Sequence, residues 1–230
     1  MQEVEAGTLQ IPGTAAPRRR MLTARDWRVP AMLLALSLVP TVAGIVRLTS
    51  LSAGAHVTPE NARFVAAPMP VAIHVVAVTL YCLLGAFQFA RGFRLRWPGW
   101  HRRIGRILAV SGLLAAVSGL WMAHFYSIPT SLQGPLLYGV RLVVGASMLA
   151  AIVLAWRSIL RRDVAQHEAW MIRAYALGQG AGTQVLVFVP IALVSGDVFG
   201  LPRDLLMSLA WGINAVFAEW LIRRGRKRPA

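Results

Sequence analysis

An all-α fold, a polytopic bundle of six transmembrane helices, is what this sequence predicts, and three observations predict it. Six apolar runs each come close to the roughly 20 residues that cross a bilayer. Arginines gather in every second connection, and tryptophans collect at the ends of the runs, as they do at a membrane–water interface. The 230 residues are 57% hydrophobic and only 14% charged, too apolar for a soluble domain of this length. A formal charge of +15 would suit a nucleic-acid binder if it lay on one folded face, but here it is divided between apolar runs. Nucleic acid is therefore not an expected partner.

Taken in order, residues 1–28 are polar, contain Pro12, Gly13 and Pro17, and end in Arg18, Arg19, Arg20, Arg25 and Arg28. With so little to bury, they read as a mobile basic tail. The first run, 29–48, is longer than the usual h-region of about 7–15 residues, which favours a retained helix over a signal peptide cleaved near Ala53 and Ala55. Further spans are expected at 70–90, 104–124, 135–156, 170–194 and 202–222, forming a single transmembrane domain over 29–222 with a second basic tail at 223–230. The external loop from Thr49 to Met69 carries Pro59 and Pro68 and no recognisable chemistry.

Six spans put both termini on one side. That side holds five basic residues in the N-terminal tail, six after the second span, four around the connection after the fourth, and five at the C-terminus. Arg47, Arg63 and Arg203 are all that face the other side, and Arg141 alone lies within a span. Such a bias predicts a multi-pass protein of the bacterial cytoplasmic membrane with both termini inside. Trp97, Trp100, Trp156, Trp170 and Trp220 fall at the inner interface.

The polar groups within the spans come next. His74, Tyr81, Gly85 and Gln88 fall within about 60° of one another on the second helix, a stripe that should face the bundle because lipid offers it no partners. On the third helix Gly105, Gly112 and Gly119, with Ala115, make a face that lets another backbone approach. His124 ends that helix near the depth of His74 but about 140° around from the glycines. Arg141 is the costliest residue, about two turns into the fourth span, with no carboxylate on helices two to five to pair with. Its partner would be an external Asp197 or Asp204 or a bound anion, unless it snorkels to the surface. Arg173, Gly180 and Gln184 share a face of the fifth helix, so one outer pocket is expected to gather His74, Tyr81, Arg141 and Gln184, with Gln88 and His124 as further members.

At the inner face His101, Arg102, Arg103 and Arg106 lead into the third helix, and Asp163, His167, Glu168 and Arg173 into the fifth. His101, Asp163, His167 and Glu168 could supply a divalent metal, while the arginines suit anionic headgroups. The lone Cys82 excludes an intramolecular disulfide or a CxxC pair. No Gly-rich phosphate loop, HExxH or GxSxG sequence is present.

The run from His74 through GAFQF to HRRIGR, followed by YGVRLVVG and HEAWMIRAYAL, resembles a family of bacterial predicted membrane proteins, the domain of unknown function numbered 2306. The resemblance covers about residues 71–194. It implies a four-helix core from helices two to five, with polar positions at His74, Gln88, His101, Arg102, Gly105, Arg106, Arg141, His167, Trp170 and Arg173, and it implies no activity. Histidines near both faces also give a fainter likeness to b-type membrane cytochromes, which would imply haem b held by paired histidines. The specific expectation is therefore haem- or quinone-linked electron transfer. His74 would act as ligand or quinone partner, and Arg141 would neutralise a propionate. The alternatives are a small permease or membrane binding protein for an anionic or amphipathic solute, and a structural or accessory subunit.

Overall fold

The computed structural model describes residues 23–54 and 56–226, so most of the two expected tails, and Ala55, lie outside the described residues. The chain enters its first helix, α1 (Ala24–Ser52), through Thr23, whose hydroxyl and backbone N–H both donate to the Asp26 carboxylate at 2.9 Å. A carboxylate in the first turn meets the free N–H groups and the positive end of the helix. A short α2 (Ala62–Ala66) then leads into α3 (Pro68–Gln88). The basic turn folds as α4 (Arg91–Arg96), followed by α5 (Pro98–Phe125) and α6 (Pro135–Leu160). Proline opens α3, α5 and α6, where its missing N–H costs no helical bond and its fixed φ suits the first turn.

The expected fifth span is broken. It runs as α7 (Val164–Gly178) and α8 (Gly180–Ser195), bent by 41° at Gln179. The chain ends in α9 (Gly200–Arg226). Among the described residues, five helices are long and apolar enough to cross a membrane, and the bent pair passes the same test when taken together, for up to six spans. The spans alternate in direction. Both ends of the described chain therefore lie at one end of the bundle, here the terminal end, and α2 lies at the opposite, distal end. The terminal end is marked by Trp27, which meets Phe93 edge-on at 4.9 Å and Phe87 at 6.2 Å. At the distal end Phe64 meets Tyr126 edge-on at 5.5 Å.

The core comes from α3, α5, α6 and α7, the four helices expected to form it. Tyr81, with 0% of its surface exposed, packs with Leu108, Met148, Ile152 and Tyr175. Small residues make room for these rings. A Cβ at Gly112 would come within 2.7 Å of both the Tyr81 ring and Ile152, and a Cβ at Gly85 would strike the Tyr175 ring. The glycine face expected on α5 thus serves α3 at Gly112 and Gly119, whereas a Cβ at Gly105 would meet nothing within 4 Å.

Two side-chain arrangements hold the irregular places. Asp204 of α9, 1% exposed, accepts the Gly134 and Leu137 N–H groups, each at 3.1 Å, and so caps α6 from another helix. At the break, the Asn214 amide donates to the Ala176 carbonyl at 2.9 Å, the Trp211 indole to Leu177 at 3.3 Å, and the Cys82 thiol to Gly178 at 3.5 Å. Glycines permit these approaches, because a Cβ at Gly180 would overlap the Trp211 indole and one at Gly182 the Leu36 carbonyl.

Asn214→Leu leaves the Ala176 carbonyl without its donor and the Thr183 hydroxyl without its acceptor. It is expected to lower unfolding stability in detergent by about 1–3 kcal/mol, the cost of a buried polar group left unmade. Overpacking in Gly112→Leu should also cost about 1–3 kcal/mol. Both are read as a shift in the thermal unfolding midpoint, and an unshifted Asn214→Leu would mean that the break is held by other contacts.

Candidate functional site

The distal half of the bundle encloses a cavity of about 420 Å³, within the range of small-molecule sites. Residues of α1, α2, α3, α5, α6, α7, α8 and α9 line it. His74 and Cys82, eight residues apart on α3, both line the wall, so the space extends about 12 Å along that helix. The wall is mainly apolar, with Val75, Val78, Val144 and Met148 among its residues. Its floor is the break itself, where Ser37 donates to the Gln179 side-chain carbonyl at 3.1 Å and the Gln179 amide donates to the Tyr175 hydroxyl at 2.8 Å. Tyr175 passes the chain on to the Cys82 carbonyl at 2.6 Å.

Three guanidiniums line the distal part of the cavity, each from a different element: Arg63 of α2, Arg141 of α6 and Arg203 of α9. Arg141 donates to the Gln133 side-chain carbonyl. Arg203 donates through Nε to the Leu132 carbonyl at 3.2 Å and lies 5.0 Å over the Phe188 ring. Arg63 lies 4.4 Å over Phe64, a ring that Arg47 also covers at 4.7 Å. Its Nη1 is buried with no hydrogen-bond partner among the described residues. Burial and the neighbouring Arg47 charge hold the Arg63 guanidinium below its ordinary pKa. Among the described residues no carboxylate lies within 4.0 Å of any of the three. Glu60 acts on Arg63, and Asp204 on Arg141 and Arg203, from farther away, and the Asp204 oxygens hold the start of α6.

His74 has a defined hydrogen-bonding role. Its Nδ1 lies 3.0 Å from the Ala115 carbonyl, which can only accept, so Nδ1 carries the proton. The Ser118 hydroxyl, 3.1 Å away, donates to the Leu114 carbonyl at 2.5 Å and is free to accept as well. In the neutral ring this leaves Nε2 as an acceptor on a residue that lines the cavity.

Of the residues expected in one outer pocket, His74, Arg141 and Gln184 line the cavity. Gln184 also donates to the Met207 carbonyl at 3.2 Å. Tyr81 does not line it: the ring is buried in the core, with a hydroxyl that has no partner among the described residues. Gln88 lies two turns nearer the terminal end, its Nε2 likewise buried without a partner among the described residues. His124 is exposed and sits 2.9 Å from the Tyr138 hydroxyl, so its position around α5 removes it from the cavity. The stripe on α3 does turn inward, but α7 packs over its lower part and leaves only His74 in contact with the open space.

At the terminal end the expected cluster is divided among separate partners. His167 donates from Nδ1 to the Ala155 carbonyl at 3.0 Å, and Asp163 caps α7 through the Gln166 N–H at 2.9 Å. Glu168 lies 3.6 Å from Arg94. Arg173 meets Glu219 through two nitrogens, at 2.5 and 3.1 Å, and covers the Trp170 ring at 4.5 Å. The Nδ1 of His101 is buried without a partner among the described residues, and Arg102 and Arg106 are exposed. Among the described residues no group of three or more histidine, cysteine or acidic side chains is placed to hold a metal. His167 and Glu168 lie near enough to His101 for their charges to act on it, but with Asp163 they form no metal-holding group among the described residues.

Haem b fits this arrangement poorly. Ligation between helices by paired histidines needs two rings facing one space, and His74 is the histidine that the cavity has while His124 faces away. Protein supplied with haem and reduced with dithionite is expected to give no alpha band that disappears in both His74→Ala and His124→Ala. Such a band would restore paired-histidine ligation.

Arg63, Arg203, Ser37 and Gln179 are site residues that sequence reading missed. The two arginines look like ordinary external loop charges, and only the return of α2 and the start of α9 over the cavity bring them to Arg141. Gln179 did carry a signal, a polar residue amid Gly178, Gly180 and Gly182 in an apolar span.

A family model described as a predicted membrane protein, DUF2306, matches residues 71–222. The match takes in α9 as well as the four core helices, and so includes Arg141, Arg203 and the side chains that hold the break. No curated protein and no solved structure gave a match.

Proposed function

The chain belongs to the DUF2306 family of predicted membrane proteins, and from that premise we propose that it is a membrane-embedded binding protein or small permease for an amphipathic anion. The observation that carries this reading is the placement of three guanidiniums, without a carboxylate within 4.0 Å among the described residues, over a mainly apolar cavity. Charge taken out of water is costly unless it is paired or hydrated. An anionic head at the arginines with an apolar body below it supplies both the counter-charge and a fit to the wall.

Two further features support the reading. The floor is a break in a span, the kind of discontinuous helix around which many transporters build their solute sites. The distribution of arginine and lysine supports a terminal end on the cytoplasmic side of a bacterial inner membrane, which would turn the cavity to the outside. Exposed Arg102 and Arg106, with Trp97 and Trp156 at the same end, would then lie among anionic headgroups of the inner leaflet.

The test is calorimetric titration of the full chain in a nonionic detergent with oleate, lysophosphatidate and the neutral monooleoylglycerol. One or both anions are expected to bind well above the neutral lipid. Arg141→Gln should weaken anion binding by about tenfold or more, the worth of one hydrogen bond to a charged group. Arg106→Gln, exposed at the opposite end, should leave it unchanged. Equal binding of all three lipids, or loss of binding in both variants alike, would overturn the proposal.

A further inference from the structure

We infer that the anion is a phosphate monoester carried on a single hydrocarbon chain, its phosphate held by Arg63, Arg141 and Arg203 and its chain lying in the cavity below. The inference rests on the binding reading above and narrows it.

Charge is the first argument. Among the described residues three guanidiniums line the cavity and no carboxylate does, while Asp204 acts on Arg141 and Arg203, and Glu60 on Arg63, from farther away. Arg47 shares the Phe64 ring with Arg63, so four guanidiniums stand against two acidic groups, and the difference matches a group of charge about −1.5 to −2, which a phosphate monoester has near pH 7 and a carboxylate does not. A neutral or singly charged head would leave part of that positive charge uncompensated.

Donor geometry is the second. Each arginine offers five N–H groups in a planar fork. The protein occupies one of these on Arg141 and one on Arg203, while Arg63 keeps a buried Nη1 with no acceptor among the described residues. The three forks come from α2, α6 and α9, and Arg63 and Arg203 lie near enough to Arg141 for their charges to act on it. Three terminal oxygens on a tetrahedral centre can take bonds from all of them, whereas the two coplanar oxygens of a carboxylate suit one fork. His74, at about the depth of Arg141, adds an acceptor. It suits a hydroxyl beside the phosphate, as on a glycerol backbone, or the P–OH of the monoanion.

The third argument is the space beneath. The wall along α3 and α6 is Val75, Val78, Val144 and Met148, and the cavity reaches about 12 Å down α3. At the floor the polar atoms of Ser37 and Gln179 already satisfy each other, so no polar group is demanded at the far end of the ligand. A volume of about 420 Å³ lies toward the lower part of the range for small-molecule sites, which favours one chain over two.

Wild-type protein in nonionic detergent decides the matter, so the folding of a variant does not enter. Lysophosphatidate, oleate and inorganic phosphate are titrated separately, and phosphate is also used as a competitor. Lysophosphatidate is expected to bind at least tenfold more tightly than oleate, with inorganic phosphate binding more weakly than either lipid and displacing lysophosphatidate at high concentration. Oleate binding as tightly as lysophosphatidate would overturn the phosphate assignment and leave the amphipathic-anion reading standing. Inorganic phosphate binding as tightly as lysophosphatidate would overturn the hydrocarbon chain and make free phosphate the ligand. Binding of none of the three would overturn both readings. Arg141→Lys, which keeps the charge and loses the fork, should reduce the preference for lysophosphatidate over oleate. An unchanged ratio would exclude Arg141 from phosphate recognition.

Discussion

Every backbone N–H and carbonyl at membrane depth must find a partner inside the protein, and the distal half of this bundle depends on how that demand is met at Gln179. A straight fifth span would need no help. A bent one releases carbonyls, and here Asn214 and Trp211 of α9 and Cys82 of α3 take up those of Ala176, Leu177 and Gly178. Those donors tie α9 and α3 to the break, and the glycines around it let them come close enough. The same bend forms the floor of the cavity, with Ser37 of α1 closing onto Gln179. Packing below the floor is tight because the Tyr81 and Tyr175 rings use the room left by Gly112 and Gly85.

The arginines obey the same constraint with a different outcome. Arg173 and Arg94, toward the terminal end, have glutamates from other elements beside them. Arg63, Arg141 and Arg203 have aromatic rings and neutral oxygens beside them. Neutral acceptors and ring faces hold a guanidinium in a fixed orientation without cancelling its charge. Such an arrangement leaves the charge to act on whatever enters the cavity, offset only from a distance by Asp204, whose oxygens hold the start of α6, and by Glu60.

How much of this the sequence revealed follows from which forces are local. The spans were legible because about 20 apolar residues in a row have one use in a chain this hydrophobic, and the core helices were those expected. The inward turn of the His74 stripe was legible from the helical period, as was the displacement of His124 from the glycine face. The break was not foreseen, since the hydropathy of 170–194 is continuous and the donors that stabilise it lie 31 or more residues away in α9 or almost a hundred away in α3. Arg63 and Arg203 were counted as loop charges because charge statistics assign a residue to a side of the membrane and say nothing of what folds over it. Arg141 stood out because its cost is independent of the fold.

Positive charge therefore has two meanings in this chain, and burial separates them. Arg102 and Arg106 are exposed at the terminal end, where water or headgroups can solvate them and where their number, not their exact position, sets orientation. The distal arginines are few, come from three elements, and are held by defined contacts around a space that no protein carboxylate enters. A bundle that needed charge only for topology would have no reason to bring these three together or to bury an Arg63 nitrogen without an acceptor among the described residues. In the proposed reading the arrangement would cost free energy in the empty protein and recover it when an anion arrives. Such an exchange is what would set a binding site apart from a membrane anchor.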